Sequence, residues 1–544
     1  MDGITPLVYW SMCCQISSID DVRMRSKAFL ILLLILAIAG SMAILVATRW
    51  GIGVSPDSIL YISGARALLA GHGFSLQSPG GGYDPITHFP PLYSGILAVI
   101  GLTGVEVGLA ARVVNALVFA ACVFVVGCLL NRWSDEKVKW IPLIGVVLLL
   151  ASWVSLEIHL MAWSEPLFIL LGLLSLAVLG KDLDSPETRL LLIAAMLAGL
   201  AFLTRYAGAA LVATGMLGLF LFSPMPINRR FYRACWFGAV SLIPIGLWLL
   251  RNTLMIGTAA GRQFIFHVPG KAHVSQALTT LASWFLIPDT ARTWIKVMVV
   301  LVVVLGLLAA IFFGRERLSA NHSLRGRFSA IPGVIKLLGL FMLVYAGFLV
   351  FSISFIDANT PLDGRILSPV FVFGLILAGY AAIEVSHHSF MWKRWIKLIV
   401  GIAALSFCIL YLWRGANLLL RSYDAGIGYN SVSWHHSETL SGLTKIPKGI
   451  AIYTNIPDGV FFLTNQSVYG LPSRYESMNQ RPNPEFAQEL MEIREMSQNN
   501  EVVIVYFKGF DQANLPSEQE LVDLLHAQVI EEYTDGTIFR VSPQ

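Results

Sequence analysis

Two acidic residues stand beside long apolar runs, where the burial of a carboxylate near lipid is energetically unfavourable. Asp57 follows the first long run, and Glu165 directly precedes a later one. Ionisable residues at the edge of a bilayer are functional candidates, and a carboxylate can act as a general base toward a hydroxyl group. The structural alternative is that Asp57 only caps a helix and that Glu165, next to a capping Ser164, only favours the helix dipole.

Aromatic and imidazole side chains accompany the first acid. Tyr61 lies one helical turn after Asp57 and shares its helix face. Farther along, His88 and Tyr93 flank Pro90-Pro91, which restricts the backbone to a stiff extended turn. Such a turn would hold both side chains at the membrane interface. An equally good alternative for Tyr93 is that its ring only anchors the chain in the interfacial aromatic belt.

Arginines supply the cations that an anionic substrate needs, because guanidinium groups bind phosphate and carboxylate groups by charge-assisted hydrogen bonds. The basic candidates on the same side of the membrane are Arg205, with Tyr206 beside it, Arg251, Arg262 and Arg365. Snorkelling to the interface is the alternative for Arg205, and pairing with Asp363 or Asp357 is the alternative for Arg365. Acids and arginines together suit acid/base chemistry beside a lipid-linked phosphate.

Eleven apolar runs must position these side chains. The 544-residue chain is 56% hydrophobic and 13% charged, whereas soluble domains carry about 25% charged residues. Long apolar runs predict membrane-spanning helices, which need about 20 residues each. The predicted spans are 28–48, 110–130, 141–157, 165–180, 190–204, 207–223, 235–250, 295–313, 337–355, 367–385 and 398–415.

Lysines and arginines in the short loops predict the orientation. Basic residues precede the first predicted span and follow the second, fourth, sixth, eighth and tenth. Cytoplasmic loops carry an excess of these residues, so the N-terminus is predicted in the cytoplasm and the C-terminal part outside it. The first outer loop, 49–109, contains an apolar run at 95–102 that is too short to span and is typical of an interfacial or re-entrant segment.

The predicted fold is an all-α polytopic membrane protein with a small C-terminal α/β extracytoplasmic domain. Residues 1–27 form the cytoplasmic N-terminus, 28–416 the transmembrane domain and 417–544 the soluble domain. Met24 lies shortly before the first apolar run and is an alternative start of the chain. The sequence does not suggest nucleic-acid binding, which would need a clustered basic face. The elements predicted in the soluble domain are strands 449–454, 467–470, 501–507, 528–534 and 537–541 and helices 457–463, 484–498 and 517–526.

The candidate residues fall in motifs that resemble the GT-C superfamily of membrane glycosyltransferases, in the bacterial branch related to protein O-mannosyltransferases and the lipid A aminoarabinose transferase. The likeness extends from about residue 28 to residue 475. It implies a GT-C-like domain of about eleven transmembrane helices. The motifs are Pro56-Asp57-Ser58, His88-Phe89-Pro90-Pro91-Leu92-Tyr93, Ser164-Glu165-Pro166, Leu203-Thr204-Arg205-Tyr206, Trp248-Leu249-Leu250-Arg251-Asn252, Asp363-Gly364-Arg365, and Tyr453-Thr454-Asn455 with Pro457-Asp458.

The resemblance implies an inverting transfer of a sugar from a polyprenyl-phosphate-linked donor to a lipid, glycan or protein acceptor at the extracytoplasmic face. Asp57 matches the candidate general base of the first outer loop, and Glu165 matches the acid of the second. Relatives often carry Asp-Glu where this chain has Asp57-Ser58. Some relatives bind a divalent cation near these acids, and no other cofactor is implied. The residues assigned to substrate binding are Tyr61, His88, Tyr93, Arg205, Tyr206, Arg262 and Arg365.

A polytopic transporter or lipid flippase is the main alternative function. Such proteins carry charges near the bilayer midplane and often show repeat symmetry. Here the ionisable residues cluster at the outer ends of the apolar runs, and the sequence contains no internal repeat. A receptor or scaffold whose outer domain binds a partner would leave the acids of the first two outer loops without a role.

Overall fold

A computed structural model describes residues 7–78, 82–135, 138–261, 264–313, 324–388, 394–447, 449–476, 481–510 and 514–542. The membrane part is built from helices and one short hairpin. Its elements are α1 (Leu7–Ala47), α2 (Pro56–Leu69), β1 (Ser75–Gln77), β2 (Tyr83–Pro85), α3 (Leu92–Gly101), α4 (Val107–Asn131), α5 (Trp140–Ala151), α6 (Trp153–Leu160), α7 (Glu165–Asp184), α8 (Thr188–Thr204), α9 (Gly208–Phe222), α10 (Ile227–Ile256), α11 (Lys271–Ser283), α12 (Thr293–Phe313), α13 (Leu324–Ala330), α14 (Gly333–Phe355), α15 (Ser368–His388) and α16 (Arg394–Ala425).

Each of the eleven predicted spans falls on helix, and the protein is a multi-pass membrane protein. Within the described ranges, eight helices are long and apolar enough to cross a bilayer: α1, α4, α7, α10, α12, α14, α15 and α16. The bent pair α5 and α6 passes the same test of length and composition when its two helices are taken together, and the shorter apolar helices α8 and α9 correspond to the remaining two predictions. The predicted fold class is therefore confirmed.

The predicted span 141–157 is broken rather than continuous. Helices α5 and α6 meet at an angle of 49°. The break lies at Ser152, whose backbone is extended (ψ 121°) and whose hydroxyl accepts a hydrogen bond from the Ser155 amide, as the N-cap of α6. A serine that caps a new helix inside an apolar run gives no hydropathy signal, so the run was predicted as one helix.

A short backbone pairing brings the first outer loop against the start of α7. The Gly53 amide donates to the Leu160 carbonyl at 2.8 Å, and the Ala162 amide donates to the Gly53 carbonyl at 2.8 Å. Three residues later the chain enters α2, and three residues after Ala162 it enters α7. The beginnings of α2 and α7 are consequently held side by side. The predicted interfacial run 95–102 lies largely in α3, which packs on α2 and α4.

The C-terminal part contains a mixed five-stranded sheet, as the alternation of strands and helices predicts. The elements are α17 (Val432–His435), α18 (Glu438–Leu443), β3 (Ala451–Thr454), α19 (Pro457–Thr464), β4 (Tyr469–Gly470), α20 (Phe486–Asn499), β5 (Val502–Phe507), α21 (Glu518–Leu525), β6 (Ala527–Glu532) and β7 (Gly536–Val541). Strand order is β4-β3-β5-β7-β6, with β3 parallel to β4 and β5, and β7 antiparallel to β5 and β6. The central strand β5 is buried along its whole length, which explains its unbroken apolar sequence.

The last apolar helix, α16, continues to Ala425. The division of the chain into a cytoplasmic N-terminus (1–27), a transmembrane domain (28–416) and a soluble domain (417–544) stays a prediction.

Candidate active site

Asp57 lies in the first turn of α2 and contacts an arginine. Ser55 occupies the N-cap position and Pro56 the first helical position, so Asp57 is not the cap that the structural alternative proposed. Its Oδ2 atom is 2.5 Å from Nη2 of Arg365, and its side chain is 32% exposed. Asp57 therefore combines an ion pair on one side with access from the other.

Glu165 begins α7 and is almost wholly buried, with 2% of its side chain exposed. Its Oε1 atom lies 2.7 Å from Nη1 of Arg205 and 2.5 Å from Nε of Arg365. Its Oε2 atom is buried and accepts no hydrogen bond from the described residues. A carboxylate in this position needs its cations, because an unpaired buried charge is strongly unfavourable.

Arg365 bridges the two acids. Its guanidinium contacts Asp57 and Glu165 and lies 4.3 Å above the ring of Trp163. Burial lowers the pKa of Arg365, but Glu165 and Asp57 raise it overall, so this group keeps its charge. The predicted alternative, pairing with Asp363 or Asp357, does not account for these contacts. Two carboxylates and two guanidiniums form a charge-balanced network at the ends of four helical segments.

Hydroxyl groups complete this network. Ser164 occupies the N-cap position of α7, but its side chain makes no cap hydrogen bond. Instead, its Oγ atom accepts a hydrogen bond from Arg205 at 3.1 Å and lies 2.8 Å from the Tyr61 hydroxyl. Tyr61 is fully buried, and burial raises the pKa of its phenol. Tyr61 consequently stays a neutral partner of the charged groups and orients them through Ser164.

Tyr93 is a buried wall of the site rather than an interfacial anchor. Its ring packs edge-on against Tyr61 at 5.3 Å between centroids, and its hydroxyl donates to Asn115 at 3.0 Å. Asn115 in turn donates to the Met161 carbonyl at 2.6 Å, directly before the α7 segment. The aromatic-belt alternative for Tyr93 is therefore wrong, because a belt residue would lie at the lipid interface.

His88 and Tyr206 lie one layer away from the charges. The Tyr206 hydroxyl donates to the Thr87 carbonyl at 2.8 Å, and the ring of His88 packs against Phe89, which itself contacts Tyr61. The hydrogen bond from Tyr206 to Thr87 connects the segment before Pro90-Pro91 to the residue that follows Arg205. Arg262, the remaining predicted substrate-binding residue, lies outside the described residues.

Sequence reasoning missed three contributors to the site. The sequence predicts Ser164 only as a helix cap and assigns no role to Trp163 or Asn115. The polar side chain of Asn115 within an apolar span was a usable signal, since such residues are rare in membrane helices. The hydrogen bond from Trp163 to Ser55, at 2.8 Å, joins residues 108 positions apart and has no sequence signal.

An apolar cavity of about 630 Å³ lies among the end of α2, the β1–β2 hairpin, α3, α8 and α10. Arg251 is on its wall, 4.8 Å over the ring of Trp248, and its nearest acceptors are carbonyl oxygens at 3.4 Å and the Asn252 amide oxygen at 3.0 Å. No carboxylate in the described ranges pairs with Arg251. The cavity lining is Leu68, His72, Gly73, Phe74, Ser75, Tyr83, Pro85, Pro91, Leu92, Gly95, Leu203, Trp248, Arg251 and Met255.

The network does not fit a resident divalent cation. Over the described ranges, no three His, Cys, Asp or Glu side chains are grouped as metal ligands. The carboxylates of Asp57 and Glu165 already face guanidinium groups, which supply the positive charge that a cation would supply.

Comparison with solved structures identifies the fold. No protein-family model matches the sequence, and neither does any curated protein. ArnT from Cupriavidus metallidurans bound to undecaprenyl phosphate matches with a TM-score of 0.58 and 14% identity, over 94% of this chain and 99% of ArnT. Apo ArnT from the same organism matches with a TM-score of 0.59 and 14% identity, over 96% of this chain and 100% of ArnT. Archaeal oligosaccharyltransferase AglB from Archaeoglobus fulgidus, in complex with an inhibitory peptide and a dolichol-phosphate, matches with a TM-score of 0.48 and 11% identity. The match covers 89% of this chain and 70% of AglB. The predicted GT-C resemblance is confirmed at the level of fold: this chain has the fold of ArnT.

Proposed function

We propose that this protein is a membrane glycosyltransferase that transfers a sugar from a polyprenyl-phosphate-linked donor to an acceptor hydroxyl at the extracytoplasmic face. One observation carries the proposal: Asp57, Arg365, Glu165 and Arg205 form a network of two carboxylates and two guanidiniums where α2 and α7 begin. The shared fold with ArnT, which binds undecaprenyl phosphate, supports a lipid phosphate as the donor class. The acceptor is a lipid, a glycan or a protein.

In the proposed reaction, Asp57 is the general base. Its carboxylate takes the proton of the acceptor hydroxyl as the acceptor oxygen forms a bond to the anomeric carbon. The bond between the anomeric carbon and the phosphate oxygen breaks, and its electron pair leaves with the polyprenyl phosphate, so the anomeric configuration inverts. Arg365 positions Asp57 through the 2.5 Å ion pair, and Glu165 positions Arg365.

The leaving phosphate needs a cation more than it needs an acid. Arg365 already contacts two carboxylates and Arg205 contacts one. Arg251 is free of carboxylate partners among the described residues and lies on the cavity wall. We therefore assign Arg251 to the donor phosphate, with the start of the polyprenyl chain along the apolar lining. A cavity of about 630 Å³ is in the usual range for ligand pockets.

Replacing Arg251 by Ala is expected to raise the apparent Kd for an undecaprenyl-phosphate sugar about 10- to 100-fold. A charge-assisted hydrogen bond contributes about 1.5–3 kcal/mol, which corresponds to that range. Arg251→Lys should recover part of the loss because it keeps the charge. Arg292→Ala, at an exposed arginine, is the matched control. An unchanged Kd for the donor in Arg251→Ala would show that the donor does not bind in this cavity.

The function itself is tested with the purified full chain in detergent. The substrates are radiolabelled undecaprenyl phosphates that carry different hexoses and pentoses, and the measurement is release of undecaprenyl phosphate with and without added acceptors. We expect at least one donor to be consumed. A folded protein that consumes none of the panel would refute the proposed function.

Orientation in the membrane is a separate prediction. A phosphatase reporter fused after Gln544 is expected to be active, and one fused near Ser319 inactive, because basic loops favour the cytoplasm. A cytosol-active reporter at the same positions should give the opposite pattern. Activity of the phosphatase at Ser319 would put the network on the cytoplasmic face and contradict the proposed location of the reaction.

A further inference from the structure

The C-terminal domain is attached to the loop that carries Asp57. The Tyr429 amide donates to the Val54 carbonyl at 2.9 Å, and the Asn430 side chain donates to the Ile52 carbonyl at 2.7 Å. Directly before these two residues, Gly428 has a positive φ of 60° and lies so close to Val54 that a Cβ atom would collide with its carbonyl. The entrance to this domain is thus fixed three residues before Asp57.

Helix α19 of the same domain packs in two directions. Val460 belongs to the buried core of the C-terminal domain, where Leu463 packs against it. Phe461 and Phe462 instead pack against the core of the membrane part, and α19 contacts α2. Asp458 precedes these two phenylalanines by three and four positions, so it lies on the same face of the helix. That face is the one turned toward the membrane part.

Asp458 is a third carboxylate at this junction. It is half-buried, and no side chain in the described ranges donates a hydrogen bond to it or forms an ion pair with it. Burial and, after it, the charge of Asp57 raise the pKa of Asp458. The charges of Asp57 and Glu165 are already balanced by Arg205 and Arg365, and in the described part of the chain no cation pairs with Asp458.

The ordinary explanation for an acid in the first turn of a helix is the helix dipole. Asp458 occupies the second helical position of α19 and is consistent with that role. The dipole does not explain why the acid lies on the face of α19 that packs toward the membrane part, where burial and the charge of Asp57 both disfavour its ionised form. A ligand that donates hydrogen bonds would offset both effects.

We propose that Asp458 belongs to the acceptor subsite and accepts hydrogen bonds from the hydroxyl groups of a polyhydroxylated acceptor, a sugar, whose reactive hydroxyl lies against Asp57. This inference rests on the proposed glycosyltransferase function. It makes Asp458 a specificity-determining residue, contributed by the C-terminal domain to a reaction whose base lies in the membrane part. The acceptor is then held between α2 and α19.

The probes are octyl glycosides of common hexoses and pentoses, with their monodeoxy analogues, and the reaction with water as acceptor. Asp458→Ala is expected to raise the KM for the best glycoside about 10- to 100-fold, the loss expected for a charge-assisted hydrogen bond. The KM for the donor and the rate of donor hydrolysis should not change. Asp523→Ala, at an exposed acid on α21 of the same domain, is the matched control.

Deoxy acceptors separate recognition from a loss of structure. In the wild type, removal of one particular hydroxyl should weaken the acceptor, whereas Asp458→Ala should no longer distinguish that analogue from its parent. A variant that is merely damaged would lose donor hydrolysis as well and would keep the discrimination. An unchanged acceptor KM in Asp458→Ala, or donor hydrolysis by the wild type with no glycoside accepted, would overturn this inference alone. Absence of any donor consumption by the wild type would instead overturn the proposed function.

Discussion

Replacing Asp57 by Asn is expected to lower the turnover of sugar transfer about 10²- to 10⁴-fold, the usual contribution of general acid–base catalysis. Asparagine has nearly the same shape, and its amide oxygen can still accept a hydrogen bond from Arg365. It cannot take a proton from the acceptor. Because the Asp57 side chain is 32% exposed, loss of its ion pair should change stability only modestly.

The measurement is kcat with saturating undecaprenyl-phosphate sugar, together with donor Kd and the melting temperature in detergent. Only kcat should fall. Asp363→Asn is the matched control: Asp363 lies two residues from Arg365, and its Oδ1 atom only accepts a hydrogen bond from the Ile366 amide at 3.0 Å. Near-normal kcat in Asp57→Asn would leave the proposed mechanism without its base, and an equal fall in Asp363→Asn would indicate a general disturbance of this loop.

Hydropathy and strand alternation predicted most of the architecture because both depend on local sequence. Apolar runs mark the helices, since a lipid-exposed backbone must satisfy its own hydrogen bonds. The strand β5 and the helix α19 were predicted within a residue of their observed bounds. The break at Ser152 was missed because hydropathy does not change where one apolar helix ends and another begins.

The composition of the site was predictable, but its connections were not. Asp57, Glu165, Arg205 and Arg365 were proposed because charges at membrane edges are unfavourable without a role. Which acid contacts which arginine depends on the pairing of Gly53 with Leu160 and Ala162, and no local pattern encodes it. A nearby acid is the natural sequence-based partner for Arg365, yet its actual partners are about 200 and 308 positions away. The position of Asp458 depends on how the C-terminal part packs against the membrane part, and it likewise cannot be predicted from local sequence.

Replacing Glu165 by Gln is expected to destabilise the protein by about 3–5 kcal/mol, the usual effect of removing one partner from a buried ion pair. Gln keeps the size of the side chain but leaves Arg205 without a carboxylate partner and Arg365 with only Asp57. Transfer should fall as well, because a neutral amide binds Arg365 more weakly than a carboxylate does and so holds it less firmly against Asp57. Glu165→Gln therefore combines a lower melting temperature with a lower kcat, unlike Asp57→Asn.

Charge and shape are separated by a second substitution at the same position. Glu165→Asp shortens the side chain by one methylene but keeps the charge, so it should retain more stability than Glu165→Gln. Glu501→Gln is the control for an ordinary surface ion pair: Glu501 lies 2.7 Å from Arg540, both side chains are substantially exposed, and the expected change is about 0–1 kcal/mol. If Glu165→Gln were more stable than Glu165→Asp, packing rather than charge would hold this position. The carboxylate would then have no part in fixing Arg365, and the position of Asp57 would depend on the rest of the Arg365 environment, chiefly the face of Trp163.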